Sequence, residues 1–141
     1  MNFFKKFNFI FIALFFSLGC TSENHNTNNS TLDFNSYPVS FEMKKDANFA
    51  GHYYLSVYGC GGGAICGDIK NLNTGEIIGF PNAYLIEDDN GDNGFSVTYH
   101  LNSSLIAISG ILADPDESEL YDGFCVRYYN FKGDNFIPVK K

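Results

Sequence analysis

The chain has 141 residues, 45% hydrophobic and 17% aromatic, with sixteen acids against nine basic residues and a formal charge of −7. Once a leader and a tether are set aside, residues 37–141 suit one domain with one modest core. The acidic balance opposes binding to nucleic acid or anionic lipid headgroups and favours cationic partners or simply solubility.

The chain opens "MNFFKKFNFIFIALFFSLGC", with Lys5 and Lys6 ahead of an apolar run from Phe9 to Leu18 closed by Gly19. This is the layout of a secretory signal peptide. The run is about half the roughly 20 residues that a membrane-crossing helix needs. "SLGC" resembles a bacterial lipobox, with Ser17 where that motif usually has leucine. The resemblance implies that residues 1–19 are removed and that Cys20 becomes an acylated N-terminus. Thr21 in the second mature position resembles the pattern that sends lipoproteins of Gram-negative cells to the outer membrane, facing the periplasm. Each buried methylene contributes about 0.8 kcal/mol, so two or three acyl chains, palmitate among them, anchor firmly where one does not. The other reading of this stretch is an ordinary signal peptide with a free Cys20. Without Lys5 and Lys6 the mature chain carries seven basic residues against sixteen acids, a formal charge of −9.

Residues 20–36 are expected to form the lipidated cysteine and a flexible tether. "TSENHNTNNSTLDFNS" offers only Leu32 and Phe34 for burial, too little to offset ordering entropy, and His25 is read as solvated. The folded domain is expected over residues 37–141. Only "SFEMKKDA", residues 40–47, has helical character, with Ser40 as N-cap and Met43 and Ala47 on one stripe.

Strand patterns then dominate. "HYYLSVY" sets Tyr53, Leu55 and Val57 on one face and His52, Tyr54, Ser56 and Tyr58 on the outward one. "FSVTYHL" repeats this, with Phe95, Val97, Tyr99 and Leu101 inward and His100 outward. "SLIAISGIL" is apolar on both faces, as in a strand covered on each side, and "GEIIGF", "AYLIE", "FCVRYYNF" and "NFIPV" supply further strands. Turn signals separate them at short intervals: "NLNTGE", "FPNA", "EDDNGDNG", "LNSS", "ADPDESE" and "KGDN". The expectation is an all-β domain: an antiparallel meander of about seven or eight strands, sandwich or barrel-like, with at most one short N-terminal helix.

Cys60 and Cys66 flank "GGGAI", and export places them in an oxidising compartment. A hairpin of that size can bring their Cα atoms within disulfide range. Closing this loop is worth roughly 2 kcal/mol and joining either to Cys125 roughly 4, so the pairing among Cys60, Cys66 and Cys125 stays open, with one thiol left over in each case. A zinc site built from these cysteines with His52 or His100 lacks the second close pair of zinc motifs. A thioredoxin-like centre needs C-x-x-C at a helix N-terminus. No metal or cofactor is expected.

"NFAGHYYLSVYGCGGGAICGDIKNLNTGEI", residues 48–77, and "GFCVRYYNFKGDNF", residues 123–136, resemble the signature of a group of small bacterial envelope proteins without an established function. Tyr58 stands where that signature has tryptophan, and the cysteine loop is longer here. The resemblance marks His52, Tyr53, Gly59, Cys60, Cys66 and Cys125 as signature positions and assigns them no role.

Catalytic patterns are weak. No G-x-S-x-G elbow is present. His52 and Cys60 lie eight residues apart, roughly 26 Å along one extended strand, which excludes a diad on that strand. The glycine run lacks the lysine and helix of a phosphate cradle. Asp88, Asp89 and Asp92 in "EDDNGDNG" break the EF-hand register, and Asp114, Asp116, Glu117 and Glu119 around Pro115 read as a solubilising run.

The sequence therefore reads as a non-catalytic envelope lipoprotein. Its β-domain would bind a protein or envelope component, with His52, Tyr54, Tyr58 and His100 as binding candidates. The alternatives are an inhibitor or immunity protein facing a basic hydrolase or toxin and, less favoured, an enzyme centred on Cys125 or His52. The expected partners are the membrane, through the lipid, and a cationic protein.

Overall fold

A computed structural model describes residues 32–39, 42–86, 94–114 and 123–140. The domain is all-β, as the turn spacing predicts: among the described residues, eight strands form two four-stranded antiparallel sheets. The first sheet has β1 (Tyr53–Gly61) on one side of β2 (Ala64–Asn71); on the other side of β2 lie β3 (Ile77–Gly79) and β4 (Tyr84–Leu85), paired with its opposite halves. The second runs β5 (Ser96–Tyr99), β6 (Leu105–Gly110), β7 (Cys125–Phe131), β8 (Phe136–Pro138) in spatial order. A bridge between Tyr84 and Leu112 stitches the two together.

The main core lies between the sheets. Phe49, Tyr53, Leu55, Ile69 and Tyr84 meet Ile106, Ile108, Tyr129 and Phe131 there. Alternation along β6 sends Leu105 and Ala107 to the opposite face, where they join Val126 and Tyr128 in a second cluster. That is why "LIAI" reads as apolar on both sides.

The second cluster is covered by Leu32, Phe34, Tyr37 and Val139. Leu32 and Phe34 thus belong to the fold, although the segment through Ser36 reads as tether. Asp33 accepts from Asn35 N at 2.9 Å and caps a single 3-10 turn at Phe34–Ser36, whose Phe34 carbonyl accepts from Ser103 Oγ at 2.8 Å.

The helix expected over residues 40–47 is corrected. Residues 42–47 hold a turn at Asp46, with φ 71°, and Met43 is 48% exposed. Two turns of helix without a buried stripe do not repay their nucleation cost.

Two tight turns follow their composition. Gly62 and Gly63, at φ 62° and 77°, reverse β1 into β2, and Gly133 with Asp134, at φ 58° and 59°, reverse β7 into β8. Positive φ at both central residues matches the right-handed twist of the flanking strands. The segments of the calcium reading (Asp88, Asp89, Asp92) and of the carboxylate run beyond Asp114 lie outside the described residues.

Candidate functional site

The cysteine clasp forms within the β1–β2 hairpin. Cys60 and Cys66 are bonded, with Cα atoms 5.7 Å apart. Tyr58 faces Cys66 and Gly59 faces Ile65, while Cys60 bulges out of register. The reason for a staple is visible in the burial of β1: Tyr53 and Leu55 are buried, and every residue from Val57 to Gly61 is exposed. The β2 side of the hairpin is held by β4, which pairs with Ala64 and Ile65, whereas the β1 side from Val57 onward is exposed. The bridge ties that exposed end of β1 to a strand anchored in the sheet.

The expectation that Val57 continues the buried face is corrected by the same geometry, since it is 47% exposed. Tyr54 and Tyr58 do point outward, each 46% exposed. The Tyr58 hydroxyl bonds to Asp68 on the neighbouring strand, which pushes its pKa up.

Cys125 is fully buried on β7 and disulfide-bonded, and no cysteine among the described residues is free. The leftover thiol expected from sequence is absent there.

His52 is corrected most plainly. It is buried, not outward, because Ala50 and Gly51 at φ 43° and 81° turn the chain just before β1 and break the alternation. Its ring lies 4.2 Å from that of Tyr53, in a tilted stack. Burial lowers its pKa, partly opposed by Asp134 and reinforced by Lys44.

Beneath it sits a polar group the sequence does not advertise. Tyr53 donates its hydroxyl proton to Asp134 Oδ1 at 2.8 Å, and Asn71 Nδ2 donates to the same oxygen at 3.3 Å. Burial and this bond push the Tyr53 pKa upward. The β7–β8 turn thereby grips the first sheet. In retrospect "KGDN" is the only signal, since a Gly-Asp turn of this type aims a carboxylate at a fixed angle.

His52 and His100 do not share a pocket. His52 lines a recess of about 380 Å³ with Glu42, Met43, Lys44 and Asn73. His100 lines a separate groove of about 580 Å³ with Leu32, Asp33, Phe34, Asn35, Pro38 and Asn102, its ring edge-on to Phe34 at 4.7 Å. Tyr54 and Tyr58 line neither. Among the described residues no group of three or more His, Cys, Asp or Glu is arranged to hold a metal.

What the arrangement offers is a disulfide-clasped hairpin whose β1 strand exposes Tyr54, Val57 and Tyr58. No protein-family model matches the chain, and comparison with curated proteins and with solved structures yields no match.

Proposed function

We propose that the chain is an exported lipoprotein whose acylated Cys20 holds a non-catalytic β-domain at a bilayer outside the cytosol, where the exposed face of the clasped hairpin binds a protein or envelope component. The leader carries this reading: two lysines, a short apolar run and "SLGC". The Cys60–Cys66 bridge supports it, because such bonds persist in oxidising compartments.

Labelled palmitate and the intact mass of the mature product test the anchor. The expected product begins at Cys20 and carries acyl mass. A rival arrangement arises from Cys125, which is disulfide-bonded while Cys60 and Cys66 bond each other. The partner of Cys125 lies outside the described residues, and a bridge to an unacylated Cys20 is the arrangement that competes with the anchor. One sulfur cannot carry both a lipid thioether and a disulfide. A product with two bridges and no acyl mass overturns the anchor and makes the chain a secreted domain with an ordinary signal peptide.

For the non-catalytic reading, the purified protein is screened on envelope hydrolysis substrates; turnover lost in Cys60→Ser or His52→Ala would overturn it. A second reading, inhibition of a basic hydrolase or toxin, is favoured by the −9 charge of the mature chain, since acidic surfaces steer cationic partners. It expects a basic protein in low-salt pull-downs that is released by salt, and an empty pull-down refutes it.

A further inference from the structure

The register decides which side chains share the outer face of the first sheet. Tyr53, Leu55 and Ile69 point into the core, so Tyr54, Ser56 and Tyr58 on β1 face away from it, opposite Lys70, Asp68 and Cys66 on β2. Tyr54, Tyr58 and Lys70 are exposed, and Ser56 and Asp68 are half-buried. Four residues of extended strand set the two tyrosines about 13 Å apart.

Tyr58 is held in place on this face. Its partner across the ladder is Cys66, so the Asp68 carboxylate bonded to its hydroxyl lies on the diagonal, where positions are about 7–8 Å apart. A tyrosine spans that distance only with its ring laid across the sheet, one face toward solvent. The Cys60–Cys66 bridge fixes the same stretch of β1 to β2. Gly79, paired with Asp68 from β3, puts no side chain beside the carboxylate.

The chemistry of the face narrows its ligand. Asp68 and Lys70 offset each other locally, so the face favours neither sign of charge, and the −9 of the mature chain repels an anionic polymer. A purely apolar cover would strip water from a carboxylate, an ammonium and a hydroxyl without replacing their hydrogen bonds. A neutral chain of sugar rings meets every group: its C–H faces stack on the tyrosines, and its hydroxyls donate to Asp68 and accept from Lys70. We propose that the outer face of the β1–β2 hairpin binds an extended neutral glycan, with Tyr54 and Tyr58 stacking on two of its rings and Ser56, Asp68 and Lys70 bonding the hydroxyls between them. This rests on the reading of the hairpin face as a binding surface and names its ligand class. A sheet surface offers shallow contacts, so a single sugar binds weakly and affinity grows until the chain spans both rings.

The purified processed chain, in detergent if acylated, is tested for retention on insoluble chitin and cellulose and titrated calorimetrically with chito- and cello-oligosaccharides of increasing length. Retention on at least one polymer is expected, resistant to salt, with affinity rising with length. Tyr54→Ala and Tyr58→Ala should each weaken binding about tenfold, the loss of one aromatic contact. Tyr58→Phe keeps the stacking face but frees the ring from Asp68 and should weaken binding less. Met43→Ala, at an exposed side chain elsewhere, should leave it unchanged. Circular dichroism reports the folding of each variant. Retention on neither polymer overturns the proposal, as does binding that survives both alanine substitutions. A protein captured through Tyr54 and Tyr58 in place of a glycan overturns the ligand class and leaves the hairpin-face reading standing, whereas a product without acyl mass bears on the anchor alone.

Discussion

The side chain of Asn48 stands in for a neighbouring strand at Leu55: its Nδ2 donates to the Leu55 carbonyl at 2.9 Å, and Leu55 N donates to its Oδ1 at 2.7 Å. One carboxamide thus satisfies both backbone groups of a residue on the side of β1 that faces away from β2. Asn48→Ala should lower stability by about 1–3 kcal/mol, the cost of leaving buried polar groups unpaired. Urea unfolding with an unchanged m-value checks it. Asn48→Asp restores only the acceptor and should fall short of wild type at neutral pH.

The clasp gives a local prediction. Reducing Cys60–Cys66, or replacing both with serine, should cost roughly 2 kcal/mol by loop-closure entropy. Amide exchange should quicken from Ser56 to Gly67 while β6 and β7 keep their protection, because the ribbon past Leu55 makes few core contacts. Uniform loss of protection would mean that the hairpin belongs to the cooperative core.

Two buried tyrosines should respond oppositely to loss of a hydroxyl. Tyr53 donates to Asp134, so Tyr53→Phe should cost about 1.5–3 kcal/mol, the range for bonds to charged groups. Tyr84, fully buried with Arg127 6.0 Å from its ring centroid, sits beside Asn82 and Tyr129, yet its hydroxyl makes no hydrogen bond of good geometry. Tyr84→Phe should therefore be neutral or stabilising, whereas Tyr84→Ala should cost about 3–5 kcal/mol through the cavity it leaves. Thermal unfolding of the three variants separates these outcomes.

His52 supplies a pH dependence. Burial lowers its folded pKa below the ordinary 6.5, with Asp134 opposing and Lys44 adding to the shift. The unfolded chain then binds the proton more readily, so this contribution is complete above about pH 6.5 and is lost as pH falls toward the folded pKa. His52→Gln should flatten stability against pH in that window. An unchanged slope would assign it to other groups.

What was legible in the sequence is what depends on near neighbours. β6 declares itself because four consecutive apolar residues, Leu105 to Ile108, have no alternative to burial on both faces. The glycine turn and the short clasp are local for the same reason. His52 was illegible as a buried residue because positive φ at Ala50 and Gly51 shifts it out of the β1 register. Val57 continues the inward alternation, and only the reach of the opposing sheet among the described residues leaves it exposed. The Tyr53–Asp134 bond spans 81 residues, and no local pattern encodes such a pairing.

Gly67 and Phe80 provide the sharpest test of packing. Phe80 N donates to the Gly67 carbonyl at 2.7 Å, and the Phe80 ring occupies the space where a Cβ on Gly67 would stand. The glycine is thus a strand residue whose missing side chain is supplied by an aromatic ring just past the end of the neighbouring strand, β3. That ring also meets Phe136 edge-on at 5.9 Å, linking the first sheet to β8. Gly67→Ala should cost about 1–3 kcal/mol by displacing the ring. Phe80→Ala should cost less than the roughly 3–5 kcal/mol of a fully buried ring, because Phe80 is half-buried. In the double variant the new methyl enters the space vacated by the ring, so the combined loss should fall below the sum by about 0.5–3 kcal/mol. Strict additivity in urea unfolding would show that the two residues do not share that space.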